Sequence, residues 1–300
     1  MVRSRQLQEL LEVRPPLLML DSLSVEDGGE SSVGLKLVSA NEQVFSGHFP
    51  GHPILPGVLQ VAAMAQSAKA LFLAGGAAGR IAVFGARKVK FRKPVLPGMA
   101  LRVETVRLQS NEDGTVDYQS KCTVDGELAS SGIVTLGVRP PEWFAELPGG
   151  ESPLAAKMTG AQAGVAELMQ SLPHRFPFLL VDGAYHLGEG TEALGFKNVT
   201  SDDCLVQGTA NGQYPGYLQI ETAAQLGCAH ILSRPEYHGK LGFFMSVDRA
   251  VFHHPVYAGD RLDVEITSDF GGRYGSAAGR LHVGGALVTE VELKFVIAEP

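Results

Sequence analysis

The stretch Gly47-His48-Phe49-Pro50-Gly51-His52-Pro53-Ile54-Leu55-Pro56-Gly57 runs directly into an apolar segment, Val58–Ala74. Glycine and proline at this density mark a loop. The closing Pro56-Gly57 pair supplies a helix start, and the alanines and leucines that follow favour helix over strand. The spacing therefore predicts a loop carrying His48, followed by a long helix that must be buried.

Working outward, the same plan occurs twice. Arg14–Asp21 (RPPLLMLD) answers to Arg175–Asp182 (RFPFLLVD), with Asp21 and Asp182 standing 161 residues apart. The offset holds from Gly47 to Gly208 and becomes 159 from Gly57 to Gly216. It returns to 161 from Phe91 to Phe252 and from Pro94 to Pro255. A small deletion that is later compensated is a loop change around a fixed framework. The chain thus reads as a first unit over 1–138, a Pro/Gly/Ala-rich linker over 139–165, and a second unit over 166–300.

Each unit predicts a short helix, a strand near Leu17 or Leu179, and a second strand ending near Ala40 or Thr200. The Gly/Pro loop and the long helix come next, over Val58–Ala74 or Tyr217–Leu232. Alternating runs such as Leu101–Leu108 and Leu262–Thr267 then read as antiparallel strands separated by Asp-Gly and Gly-Gly turns. One apolar helix among five or more strands is an α+β unit, the helix wrapped by a sheet.

Composition narrows the function classes. A net charge of −7 argues against nucleic acid as partner. Cys122, Cys204 and Cys228 stand at no metal-ligand spacing, and no disulfide framework is expected. The amino-terminal MVRSRQLQELLEV reads as an amphipathic helix rather than a secretory signal. No run of roughly 18 uninterrupted apolar residues suggests a membrane span. A cytoplasmic protein of a reducing compartment is expected.

The GHFPG…PG loop with its apolar helix, and Leu172–Asp182, resemble the 3-hydroxyacyl-[acyl carrier protein] dehydratases of bacterial type II fatty acid synthesis. The likeness covers roughly 10–138 and 168–298 and implies a double hotdog, two hotdog units in one chain. Members of that family are dimers and place a catalytic His in the loop. Their catalytic acid lies five residues after the Gly of Pro-Gly, and each site takes its His and its acid from different subunits. Carried over, the first unit has His48 but Ala62 at the acid position, and the second has Glu221 but Thr209 at the His position. The resemblance therefore implies one complete site, His48 with Glu221, and one degenerate site at Thr209 and Ala62, with Gly57 heading its helix.

Eliminating water from a 3-hydroxyacyl thioester needs a base for the α-proton, and imidazole suits that task. An acid must protonate the departing hydroxyl. The apolar surroundings of Glu221 predict a raised pKa that keeps it protonated. Gln225, one helical turn on, is placed to orient that carboxyl. The backbone N–H of Gly216, at a helix N-terminus, is the expected donor to the developing enolate oxygen; the resemblance implies the same role. No metal or organic cofactor is required. His52 reads as loop surface, His253 and His254 as structural, and Cys204 as an inert thiol. His174 and Arg175 read as residues that orient the N-terminal segment. The basic run Arg87, Lys88, Lys90, Arg92 and Lys93 is either a solvated strand face or a docking patch for an acidic acyl carrier protein.

The expected activity is dehydration of a (3R)-3-hydroxyacyl thioester to a trans-2-enoyl thioester, with acyl carrier protein as partner and further self-association open. Two rivals remain at this level: a thioesterase, in which Glu221 or His48 activates water, and a non-catalytic acyl-binding or scaffold subunit.

Overall fold

The computed structural model describes residues 1–298; residues 299 and 300 of the second unit lie outside the described residues. The first unit contains β1 (Val2–Arg3), α1 (Ser4–Leu11), β2 (Ser22–Glu26), β3 (Ser31–Leu37), α2 (Gly57–Ala74), β4 (Arg80–Phe91), β5 (Ala100–Ser110), β6 (Val116–Val124) and β7 (Glu127–Arg139). The second contains α3 (Val165–Ser171), β8 (Gly183–Tyr185), β9 (Glu192–Asn198), β10 (Gln213–Tyr214), α4 (Gly216–Leu232), β11 (Leu241–Phe252), β12 (Val256–Tyr257), β13 (Arg261–Gly271), β14 (Tyr274–Val283) and β15 (Ala286–Ala298). The two long helices start at the Gly of each Pro-Gly pair. Each is apolar nearly all round, as a helix enclosed by protein must be. By length and composition α2 could cross a membrane, but here it is the buried core helix of the first unit.

A single sheet of 13 strands runs β1-β2-β3-β5-β6-β7-β4-β11-β15-β14-β13-β9-β8. The units join where β4 pairs antiparallel with β11, Val89 opposite Val247 and Ala86 opposite Ala250. Ala86 and Val247 are 161 residues apart, as are Val89 and Ala250. The register is therefore exchanged with itself by the internal repeat, which is the mark of a two-fold relation within one chain. Packed side chains from both helices and both halves of the sheet form one continuous core.

The strands expected near Leu17 and Leu179 are not strands; the sheet strands that follow these segments begin at Ser22 and Gly183. The reason is a competing set of backbone partners. Gln66 accepts from the Met19 N–H and donates to the Leu17 carbonyl. Gln225 accepts from the Leu180 N–H and donates to the Phe178 carbonyl. Each buried helix amide thus satisfies an extended arm that a sheet partner would otherwise have to satisfy.

The linker is packed rather than loose. A short turn of helix at Pro141–Phe144 lays Trp143 near Phe84, Leu154 is buried, and Ala163 bridges to Ala184.

Candidate active site

The loop that carries His48 is tied down on every side. The His48 N–H donates to Val44 O at 2.9 Å, its carbonyl accepts from Ile54 N–H at 3.0 Å, and Leu55 N–H donates to Val95 O at 2.8 Å. The ring follows: Nδ1 lies 2.7 Å from Ile54 O. A carbonyl only accepts, so Nδ1 carries the proton and Nε2 of the neutral ring is the free lone pair. Burial, and then the neighbouring His174, push the His48 pKa down to about 4, with Glu221 and the Ile54 carbonyl pulling the other way. His48 is therefore neutral at pH 7.

The second unit reaches this loop through its own arm. Arg175 N–H donates to Gly47 O at 3.0 Å, and a methyl group on Gly47 would stand 2.1 Å from Arg175 O. Only glycine allows that approach. The same bond recurs in the other half, from Arg14 N–H to Gly208 O at 2.8 Å. Arg175 itself clamps three carbonyls, those of Leu172, His174 and Met169.

Glu221 lies on α4, 7% exposed, and lines the same cavity of about 420 Å³ as His48. Gln225 Nε2 donates to Glu221 Oε1 at 2.9 Å while its amide also holds the arm. His174 Nε2 stands 3.5 Å from the same oxygen. Its ring lies 5.5 Å from that of His48 and 4.9 Å from that of Phe49. The other nitrogen, Nδ1, is buried without a partner.

Glu221 corrects one expectation. Burial does raise its pKa, but hydrogen bonds from His174 and Gln225 and electrostatic interaction with the His174 and His48 imidazoles outweigh it, leaving the group below its usual value. Glu221 is held as a carboxylate, not an acid.

A second correction concerns the glycines. Gly57, assigned from sequence to the degenerate site, lines the cavity with His48 and Glu221. Gly216, assigned to the complete site, lines the other cavity with Thr209 and Ala62. The helices pass each other in opposite directions, so the start of one lies beside the acid position of the other. At the head of α2 the Leu59 and Gln60 N–H groups turn back to Pro56 O. Gly57 N–H has no place in that pattern, and Gly57 lines the cavity at this end of the helix.

His174 was read as a framework residue, yet it belongs to this cluster. The 161 offset could have found it: its counterpart is Val13, so all three polar groups, His48, His174 and Glu221, are replaced together in the other half by Thr209, Val13 and Ala62. There the Thr209 hydroxyl donates locally, to Val206 O and Gln213 O.

The basic run divides. Arg87 is bidentate to Asp117, at 2.9 and 2.6 Å, and its hydrogen bonds hold Asp117 down near pKa 2. Lys93 pairs with Glu127. Lys88, Lys90 and Arg92 are exposed, and Arg92 and Lys93 line the cavity's edge. Phe91, Phe244, Met245 and Phe295 supply an apolar part of the wall. Cys228 also lines the cavity, its thiol pushed up to about 12 by burial and then by the Glu221 charge. It stays protonated. His52 is exposed, His253 pairs with Glu290, and His254 lies over Trp143. Among the described residues no group of three or more His, Cys, Asp or Glu is placed to hold a metal ion.

Comparison with known sequences matches a FabA-like domain twice, over residues 11–132 and 172–292. The chain belongs to the FabA-like domain family. Each FabA-like unit is about the length of a complete relative. The 3-hydroxyacyl-[acyl-carrier-protein] dehydratase FabZ of Geotalea uraniireducens is 41% identical over 140 residues, 45% of this chain and 97% of that protein. FabZ of Pelotomaculum thermopropionicum is 39% identical over 136 residues, 44% of this chain and 97% of its own length. Among solved structures, the dehydratase domain from the CurJ module of curacin polyketide synthase superposes with TM-score 0.67 at 15% identity, covering 94% of this chain and 96% of that one. The dehydratase domain of RzxB from Pseudomonas fluorescens gives 0.63 at 16%, covering 93% and 98%. These likenesses carry the fold: two FabA-like units in one chain make a double hotdog.

Proposed function

We propose that the chain removes water from (3R)-3-hydroxyacyl thioesters, giving trans-2-enoyl thioesters, at one site built from both units. His48 Nε2 takes the α-proton. The hydroxyl leaves the β-carbon with a proton from Glu221, as water, while Gly57 N–H and the α2 dipole stabilise the developing enolate oxygen. The proton on His48 then returns to Glu221, so the site ends as it began and no cofactor is consumed. Glu221 is held as a carboxylate, and a bound acyl chain that displaces water moves its pKa up from that lowered value. Its working proton therefore enters with the substrate.

The observation that carries this reading is reciprocal: His48 and Glu221 share one cavity, and Thr209 and Ala62 share the other. The 41% identity to a FabZ dehydratase supports the same chemistry. Acyl carrier protein is the proposed donor of the acyl chain, met by exposed Lys88, Lys90 and Arg92, the last at the cavity's edge, and cytoplasm the proposed compartment. Mass analysis of carrier-bound 3-hydroxyacyl substrates tests the function. Loss of water with the thioester intact is the expected result; release of a free thiol would mean a thioesterase instead.

Two smaller predictions arise here. Thr209→Ala removes a hydroxyl that only bonds its own loop, so kcat/KM should stay within about twofold of the parent. His174→Asn removes the group that holds the Glu221 pKa down. That pKa should rise, and the decline in kcat with rising pH, where Glu221 loses its proton in the substrate complex, should move to higher pH. An unchanged pH profile would show that His174 only packs.

A further inference from the structure

The second cavity is open although Thr209, Val13 and Ala62 stand where the first has His48, His174 and Glu221. It measures about 230 Å³ against about 420 Å³ for the first. Its walls are small at the places that matter: Ala62 where the acid would be, then Ala65, Ala82 and Ala86. Apolar walls without packing partners forgo dispersion contacts, and filling such a space is among the simplest stabilising changes available to a chain. Longer side chains fit this framework, because the equivalent place in α4 holds Glu221. Gln66 shows the vacancy from the other side: it grips Met19 and Leu17 as Gln225 grips Leu180 and Phe178, but has no carboxylate to bind.

The head-of-helix feature is kept while the counterparts of His48, His174 and Glu221 are gone; Glu12, paired with Lys69, and His254 line the cavity elsewhere. The head of α4 still stands at the wall through Gly216, with Leu218 and Gln219 N–H turned back to Pro215 O just as at the head of α2. The cavity has also gained a roof that the first lacks. The linker occurs once in the chain, and its Trp143 and Phe144 line only this cavity. Trp143 lies 5.8 Å from the Phe84 ring and 6.5 Å from that of His254. Phe144 sits under the Arg80 guanidinium at 3.9 Å, and its carbonyl accepts from Tyr257 Oη at 3.0 Å.

We propose that this second cavity binds an acyl thioester without turning it over, the acyl chain lying along the alanine wall beneath Trp143 and the thioester carbonyl facing the head of α4. The proposal rests on reading the first cavity as an acyl-thioester site. One chain would then hold two acyl groups, one reacting and one retained.

Trp143 is the only tryptophan in the sequence, so its emission reports this cavity alone. Octanoyl-pantetheine, which has no hydroxyl to eliminate, is the probe. Calorimetry on the intact chain should give two sites per chain, and titration should change Trp143 emission saturably, in the parent and in Glu221→Gln alike. Ala62→Met, a side chain about as long as the Glu that α4 accommodates, should abolish the emission change and leave dehydration turnover intact. One site per chain with unchanged Trp143 emission would overturn the proposal, and that needs no variant. An emission change that survives in folded Ala62→Met would overturn it as well, as would binding of octanoate with none of octanoyl-pantetheine. Failure of the catalytic reading looks different: no turnover in the parent, whatever Trp143 reports.

Discussion

His48→Ala is expected to lower kcat/KM for a 3-hydroxyacyl thioester by about 10²–10⁴-fold, the usual contribution of a positioned acid–base group. The effect should fall on kcat, because the imidazole is needed only when the α-proton leaves. Three features give this side chain its role. Its lone pair is fixed on Nε2 by the Ile54 carbonyl, burial keeps it neutral, and the loop beneath it is bonded at Val44, Ile54 and Val95. Removing the ring also leaves the Ile54 carbonyl without that donor, at a cost of about 1–3 kcal/mol if water does not reach it. A melting curve beside the rate measurement separates the two effects: a folded His48→Ala chain with near-parental turnover would remove His48 from the mechanism.

Glu221→Gln should be comparably severe. The amide matches the carboxyl in shape and can still hydrogen-bond Gln225, so the fold is retained while the transferable proton is lost. This change also tests the protonation history of the site. The Glu221 pKa is held below its ordinary value by His174, His48 and Gln225, so at pH 7 the group is ionised. If it must be protonated in the complex, binding an unreactive acyl thioester takes up protons from solution at pH 7. Calorimetry in buffers of different ionisation enthalpy should detect that uptake in the parent and none in Glu221→Gln. Equal proton balance in both would mean that the carboxylate stays ionised and that another group supplies the leaving-group proton.

Much of this was legible in the chain. The 161-residue offset and the Pro-Gly helix starts gave two like units, and both long helices begin within one residue of the expected positions. His48 and Glu221 could be paired because loop and helix motifs are local in sequence. What the sequence hid was what depends on elements crossing. Gly57 and Gly216 exchange places because antiparallel helices put each N-terminus beside the other helix's sixth residue. The segments at Leu17 and Leu179 look like strands by their apolar runs, but buried glutamines 45 to 49 residues away satisfy their backbones. Glu221 sits in an apolar helix, which suggests a raised pKa, and only the folded chain brings His174 to within 3.5 Å of it.

The claim that matters most is that a single chain builds its site across its own two halves. It is tested by mixing folded His48→Ala chains with folded Glu221→Gln chains, co-refolding them, and measuring dehydration. With the units joined through β4 and β11 and interlocked at Gly47 and Gly208, each chain should keep its own defect, and the mixture should be no more active than the better variant alone. Recovery of substantial activity in the mixture would mean that His48 of one molecule meets Glu221 of another, and the composite site within one chain would have to be abandoned.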